Sequence, residues 1–495
     1  MPATQPPGPR GDPKHPRVNP LLEVRERRSG KRPGDSYIRI VRPFEEEFER
    51  EEGRLVATER TVLGRTGWKR TLRGIRTLLI GRPISSEHET HERLTKAKAL
   101  AIFSSDNISS SAYGPEEILR VLSYAGVGAL TLTLPIAGLI IGMLFVVMLS
   151  YRQTIKAYPL GASSYLVASD NLGDRAGVTA AAALLIGYVV TVAVSVSAGV
   201  AALTSIEPGL FEHRVVIGVV LVGLLALGNL RGIRESGSIF MAPTYLYIIV
   251  MLGIIGYALV RLWSGNLPEY VSPPGWIVEE GTQALGLFLI LRAFSQGAVA
   301  LTGVEAISDG VPAFQVPEWR NARTTLTWAT IIFGILFLGI AYLVTTLGFI
   351  PDPTEEQTVL SLLIRHVVGD SPILVLAQIA TALILVLAAN TSFADFPRLS
   401  SFLARDGFMP RQFGFRGERL AFTTGILALS AMAAALMMAF SGSVAGLIPL
   451  YTLGVFVAFT LSQTGMLVRW WRRRELGWRR GLLINGLGAA TTAVV

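Results

Sequence analysis

The chain of 495 residues contains no cysteine. That excludes disulfides, a thiolate nucleophile and any cysteine-ligated metal. Histidine is nearly as scarce, with five copies. Charge is scarce too: 16% of residues are Asp, Glu, Lys or Arg, against about 25% in an average soluble domain. Most of that charge lies before residue 98 or in short clusters between apolar runs. There is no Walker loop, no HExxH and no GxSxG. ATP-driven work by this chain and hydrolytic catalysis therefore lack a sequence basis, and no cofactor is expected. The N-terminus is Pro-rich and polar over Met1–Pro20. It has no apolar core before a cleavage site, so it does not read as a signal peptide.

What the chain has in excess is apolar residues, at 51%, with a mean hydropathy of +0.47. A membrane helix needs about 20 of them in succession. Eleven stretches qualify: 98–121, 126–150, 175–204, 214–231, 238–262, 285–311, 324–349, 371–396, 419–440, 444–468 and 481–495. The expected fold class is an all-α polytopic membrane protein. Its expected domains are a basic cytoplasmic tail over 1–97 and a transmembrane transporter domain over 98–495, with the last helix expected to be cut short at Val495. The tail is expected to be disordered through Pro33 and partly helical beyond, lying near anionic lipid head groups.

The loops give an orientation. If the tail is cytoplasmic, alternate loops on its side carry Arg152, Lys156 and Arg175, then Arg231 and Arg234, then Arg320 and Arg323. Later ones carry Arg405, Arg411, Arg416 and Arg419, then Arg469, Arg472, Arg473, Arg474, Arg479 and Arg480. The opposite loops hold Glu207, Glu212, Glu269, Glu279, Glu280, Asp352, Glu355 and Glu356. This is the positive-inside bias, and it predicts a cell-membrane protein with a cytoplasmic N-terminus. It also accounts for the net charge of +9. No basic-aromatic nucleic-acid module is visible, so the expected partners are the lipid bilayer and a small solute, with a homodimer as the one protein assembly considered.

Two of the eleven helices are unusual. The first reads Phe103-Ser-Ser-Asp-Asn-Ile-Ser-Ser-Ser-Ala-Tyr-Gly-Pro115, too polar to face lipid and interrupted by Gly114-Pro115. The sixth reads Ala300-Leu-Thr-Gly-Val-Glu-Ala-Ile-Ser-Asp-Gly310. Asp106-Asn-Ile-Ser109 in one echoes Glu305-Ala-Ile-Ser308 in the other. Each opens a block of five helices, and an odd number per block turns the second block upside-down. Inverted repeats with broken helices are a construction of secondary transporters, with the solute site at the break. An acid at membrane depth costs about 2.5–3.5 kcal/mol on insertion scales and usually marks a pathway. Asp106 and Glu305 are therefore the leading site candidates. For each the competing reading is structural: Asp106 capping the unwound helix through Ser109 or Ser110, and Glu305 bonded only to helix 1 backbone.

Supporting residues follow from spacing. Tyr188, Thr191 and Ser195 share one face of helix 3, at i, i+3 and i+7, although such a face also suits helix packing. Thr302 stands three residues before Glu305 on the same side. Tyr451 is a candidate gate or an ordinary buried tyrosine. Arg292 is expected to neutralise a nearby acid, and Asp309 to lie solvated at a helix end.

The stretches Phe103–Asp106, Ala112–Gly114, Ser150–Pro159, Ala300–Ser308 and Asp406–Pro410 resemble the amino acid–polyamine–organocation superfamily. Within it they are most similar to potassium importers of the KimA type, relatives of the KUP transporters. The resemblance covers about residue 98 onward. It implies a LeuT-type 5+5 inverted repeat of twelve helices with helices 1 and 6 broken, and proton-coupled cation uptake driven by the proton gradient. Carried over by motif, Asp106, Tyr113, Thr191, Ser195, Thr302 and Glu305 would line a potassium path. Glu305 would be the proton-linked acid and Tyr451 a gating tyrosine. There is one departure: the importers resembled have an aspartate where this chain has Gly187. The alternative is an amino acid or amine permease on the same scaffold, for which glycine at 187 leaves room.

Overall fold

The computed structural model describes residues 93–495 except 160, 162, 232–236, 274–275, 277–280, 416–421 and 476. In the tail it describes four strands. Arg234, Glu279, Glu280, Arg416, Arg419 and most of the tail lie outside the described residues. Two compact units result, Met1–Gly81 and Arg82–Val495.

The described tail segments differ from the partly helical expectation. β1 (Glu23–Ser29) pairs antiparallel with β2 (Ser36–Val41), and β3 (Phe48–Glu51) with β4 (Arg54–Ala57). The reason is local. Tyr37, Ile38, Ile40 and Val41 crowd β2 with β-branched and aromatic residues, which favour strand over helix.

The second unit is helical. Eight helical runs among the described residues are long and apolar enough to cross a membrane. Its helices begin with three short pieces, α1 (Lys96–Phe103), α2 (Ser105–Ser109) and α3 (Gly114–Leu122). Then follow α4 (Thr133–Ala157), the short α5 (Ser164–Leu172), α6 (Asp174–Thr204), α7 (Arg214–Leu230) and α8 (Gly237–Trp263). The second half holds α9 (Leu287–Ala298), α10 (Val304–Asp309), α11 (Glu318–Thr346), α12 (Val359–Val368) and α13 (Pro372–Arg405). It closes with α14 (Thr423–Ala439), α15 (Val444–Arg473) and α16 (Trp478–Val494).

All eleven expected stretches are helical in whole or part. The 419–440 and 481–495 stretches appear as 17-residue helices. Two helices were not anticipated, α5 and α12, since each is shorter than a span.

α6 occupies the middle of the bundle, packed by α13 and α15. Small residues make this possible. A Cβ on Gly454 would lie 3.0 Å from the Ala183 carbonyl and 3.2 Å from the Gly187 nitrogen, so α15 and α6 cross nearly backbone to backbone. The outer faces carry Leu139, Val216, Val220, Leu224, Ile249 and Val260, all exposed and apolar, as lipid contact requires. The bundle's entrance is tied at Leu94, whose N–H donates to the Ala313 carbonyl at 2.7 Å and whose carbonyl accepts from Gln315 at 3.1 Å.

Candidate functional site

The candidate site lies where two helical runs lose their regular ladder. After α1, Ser104 separates α2, a 3-10 turn over Ser110–Ala112 follows, and α3 starts at Gly114-Pro115. Proline at the second position of α3 sits where its missing N–H is harmless. In the other run α9 ends at Ala298, a 3-10 turn covers Val299–Leu301, and Thr302 is extended. Gly303 adopts φ +82° and α10 begins at Val304.

The two breaks face each other. The Asn107 side-chain amide donates to the carbonyls of Ala300 (3.2 Å) and Thr302 (3.1 Å). It thereby satisfies backbone acceptors that the break would leave orphaned. Gly303 is required by the same contact: a Cβ there would stand 2.7 Å from the Asn107 nitrogen and 3.1 Å from Asp106 Oδ2. Its left-handed backbone would strain any other residue as well.

Around this junction lie the first group of expected residues. Asp106, Tyr113, Thr191, Ser195, Thr302 and Tyr451 are all buried. The hydroxyls of Ser109 and Ser110 donate to the Asp106 backbone carbonyl at 2.9 and 3.0 Å. Capping therefore does not consume the carboxylate. Ser110 also bonds the Tyr113 hydroxyl at 2.9 Å. Thr191 donates to the Gly187 carbonyl one turn back, at 2.9 Å. The Tyr451 hydroxyl lies beside Thr191 and Thr302 and within electrostatic reach of Asp106 and Tyr113. Three oxygens here are buried without a hydrogen bond of good geometry: Asp106 Oδ1, Thr302 Oγ1 and Tyr451 Oη.

Glu305 belongs to a second group. Its Oε1 accepts from the Ser164 N–H at 2.8 Å and the Ser164 hydroxyl at 2.7 Å, at the first turn of α5. The structural alternative for Glu305, bonding only to helix 1 backbone, is thus replaced by a tie to α5. Asp309 and Asp395 share its neighbourhood, with Arg398 as the nearby cation. Tyr188 sits with this group: it is half-buried, packs against an apolar cluster that includes Tyr165, Leu184, Leu399 and Leu403, and feels Asp395, Asp309 and Glu305. Asp395 is also within electrostatic reach of Asp106, so both groups feel its charge.

Two side expectations are corrected. Asp309 is not a solvated helix end, because its Oδ1 is enclosed and unpartnered. Arg292 pairs with no acid among the described residues; its guanidinium lies 5.6 Å from the Tyr124 ring, where a planar cation is favoured without a counter-ion. Sequence reasoning missed Asn107, Gly303, Ser164 and Asp395. Asn107 and Gly303 were inside the motifs quoted. Ser163-Ser164 carried a readable helix-start signal, and the Ser163 side chain does accept from the Leu166 N–H. Asp395 carried no signal beyond being an acid in an apolar run.

A bundle of membrane-length helices around two interrupted, polar segments is a multi-pass membrane protein built to carry a solute. The chain belongs to the amino acid permease family, whose model matches residues 98–495. It is also similar to the potassium transporter KimA of Bacillus subtilis (strain 168), with 44% identity over 423 residues, covering 85% of this chain and 69% of that protein.

Proposed function

We propose that the chain is a secondary active transporter that takes up potassium, driven by the proton gradient, through the junction of the two broken helices with helix 3. The observation that carries this reading is the group of buried oxygens at the junction: Asp106 Oδ1, which has no hydrogen-bond partner, and the Tyr451 hydroxyl beside Thr302 and Thr191. A carboxylate, hydroxyls and nearby carbonyls are hard donors, suited to a dehydrated alkali cation. The permease family and the similarity to a potassium transporter support the same solute. In this reading the helices form a LeuT-type 5+5 inverted repeat, with α1–α3 and α9–α10 as its broken first and sixth members. Glu305 is the proton-linked acid, Tyr451 the gate, and the tail is cytoplasmic.

The mechanism follows from where each group sits. Asp106 supplies the negative charge that holds the cation, and Thr302 and Tyr451 replace water oxygens. Glu305 holds the first turn of α5 through Ser164. Protonating it removes the charge that attracts those two donors and loosens α5, so proton binding and opening toward that side are linked. Gly187 leaves Asp106 as the main acid of the inner site.

The test is rubidium uptake into proteoliposomes under an inward proton gradient. Wild type should accumulate rubidium, Asp106→Asn should abolish uptake while eluting as a folded protein, and collapse of the gradient should stop it. Amino-acid counterflow without rubidium uptake would overturn the potassium reading in favour of an amino acid permease.

A further inference from the structure

A cavity of about 50 Å³ lies one helical turn from the site, between α3, α6 and the segments around Glu355 and Val444. It is distinct from the oxygen junction but shares Tyr113 with it, whose hydroxyl is bonded through Ser110 to the Asp106 segment. A space above about 10–15 Å³ admits a water-sized occupant, so this one has room for a small ion with a water.

Its charges do not balance. The lining holds three acids, Glu116, Glu117 and Glu355, and two arginines, Arg120 and Arg214, which leaves one negative charge in excess. The excess can be assigned. Glu116 is spoken for: one oxygen accepts from Arg120 at 2.5 Å and the other from the Val359 N–H at 2.9 Å. Glu355 Oε1 accepts from the Ser443 hydroxyl at 3.1 Å and lies 3.9 Å from Arg120 Nη1. Arg120 also donates to the Asp352 carbonyl at 3.0 Å. Glu117 is the least committed of the three: its Oε1 makes only a long ion pair with Arg120 Nε, at 4.0 Å, and its Oε2 has no hydrogen-bond partner although the residue is 2% exposed. From the facing helix α6, the Ser197 hydroxyl lines the same cavity, 3% exposed and equally without a partner. A buried carboxylate is expensive unless a cation or donors compensate it.

We propose that this cavity is a second binding station for a monovalent cation, with Glu117 as its charged ligand, Ser197 as its neutral one, and Arg120 as the fixed cation that limits the station to a single positive charge. It deepens the transport reading and rests on it: the station lies along the path to Asp106, on the Glu355 face of the bundle. A divalent ion is disfavoured, because calcium takes 6–8 oxygen ligands and usually several carboxylates, whereas one carboxylate here is uncommitted.

The probe is rubidium, used on the full chain in two measurements. In uptake, Glu117→Gln should raise KM about tenfold, the change that about 1.4 kcal/mol of lost attraction gives, with a smaller change in maximal rate. Ser197→Ala should raise it less, and Glu117→Asp should recover part of the loss. In equilibrium dialysis, Asp106→Asn should retain a rubidium site that Asp106→Asn/Glu117→Gln lacks. An unchanged KM in Glu117→Gln, or equal binding by those two proteins, overturns the station and means Glu117 is held by a proton instead. If Glu117→Gln does not fold, the Ser197→Ala KM decides in the same way. If wild type neither binds nor takes up rubidium, the transport reading itself fails.

Discussion

At the scale of single residues, the junction is held by one side chain and permitted by one missing side chain. Asn107 spends its amide on two carbonyls of the opposite break. Truncating it leaves two buried acceptors short of a donor, at about 1–3 kcal/mol each. Asn107→Ala should therefore lower the thermal midpoint of the detergent-solubilised protein by several degrees, read by size-exclusion after a heating series. An unchanged midpoint would mean that water already serves those carbonyls. Gly303→Ala should be worse, since it meets both a left-handed φ and a 2.7 Å approach to backbone. Gly187 behaves differently. A Cβ there meets only Val455 Cγ2, at 3.4 Å, so the backbone tolerates a side chain, and Gly187→Asp would add a carboxylate one turn from Thr191. If the potassium reading holds, the added carboxylate should tighten rubidium binding, as judged by dialysis. Unchanged affinity would show that position 187 does not address the cation.

At the scale of elements, α5 is the piece whose placement matters most and which the sequence concealed. It is a 9-residue helix, too short to register in a search for membrane spans, yet its first turn receives the Glu305 carboxylate. The same turn is also held by the Tyr165 hydroxyl, which donates to Asp406 just beyond the end of α13. The long helices were legible because about 20 successive apolar residues have few other uses. The two breaks were legible because polar and glycine residues in a span contradict lipid exposure. Which acid joined which group was not legible, because Glu305 and Asp106 occupy echoing positions and their partners come from segments far apart in sequence. The tie to α5 can be tested by a double-mutant cycle. Ser164→Ala and Glu305→Gln should each shift the thermal midpoint, and the pair should be non-additive by about 0.5–3 kcal/mol, the range for directly bonded residues. Additive effects would detach α5 from Glu305.

At the scale of the whole molecule, the arrangement of basic loops makes a claim about sidedness that the fold alone does not make. α6 runs the depth of the bundle over 31 residues, about 46 Å at 1.5 Å per residue. The residues before it and those around Asp352–Asp370 therefore belong to opposite sides if the spans alternate. The positive-inside rule puts Arg152, Lys156 and Arg175 in the cytoplasm, and with them α5. It puts Glu355 and the cavity at Glu117 toward the exterior. Because the chain has no cysteine, the claim can be examined with single introduced thiols against a silent background. Asp370, whose side chain is 83% exposed, is one position; Asp170, exposed on α5, is the other. A membrane-impermeant maleimide on intact cells should label Asp370→Cys and leave Asp170→Cys untouched until the membrane is permeabilised. The reverse pattern would place Glu305 and α5 on the outer side. Proton release would then face the exterior, and the same geometry would describe an exporter.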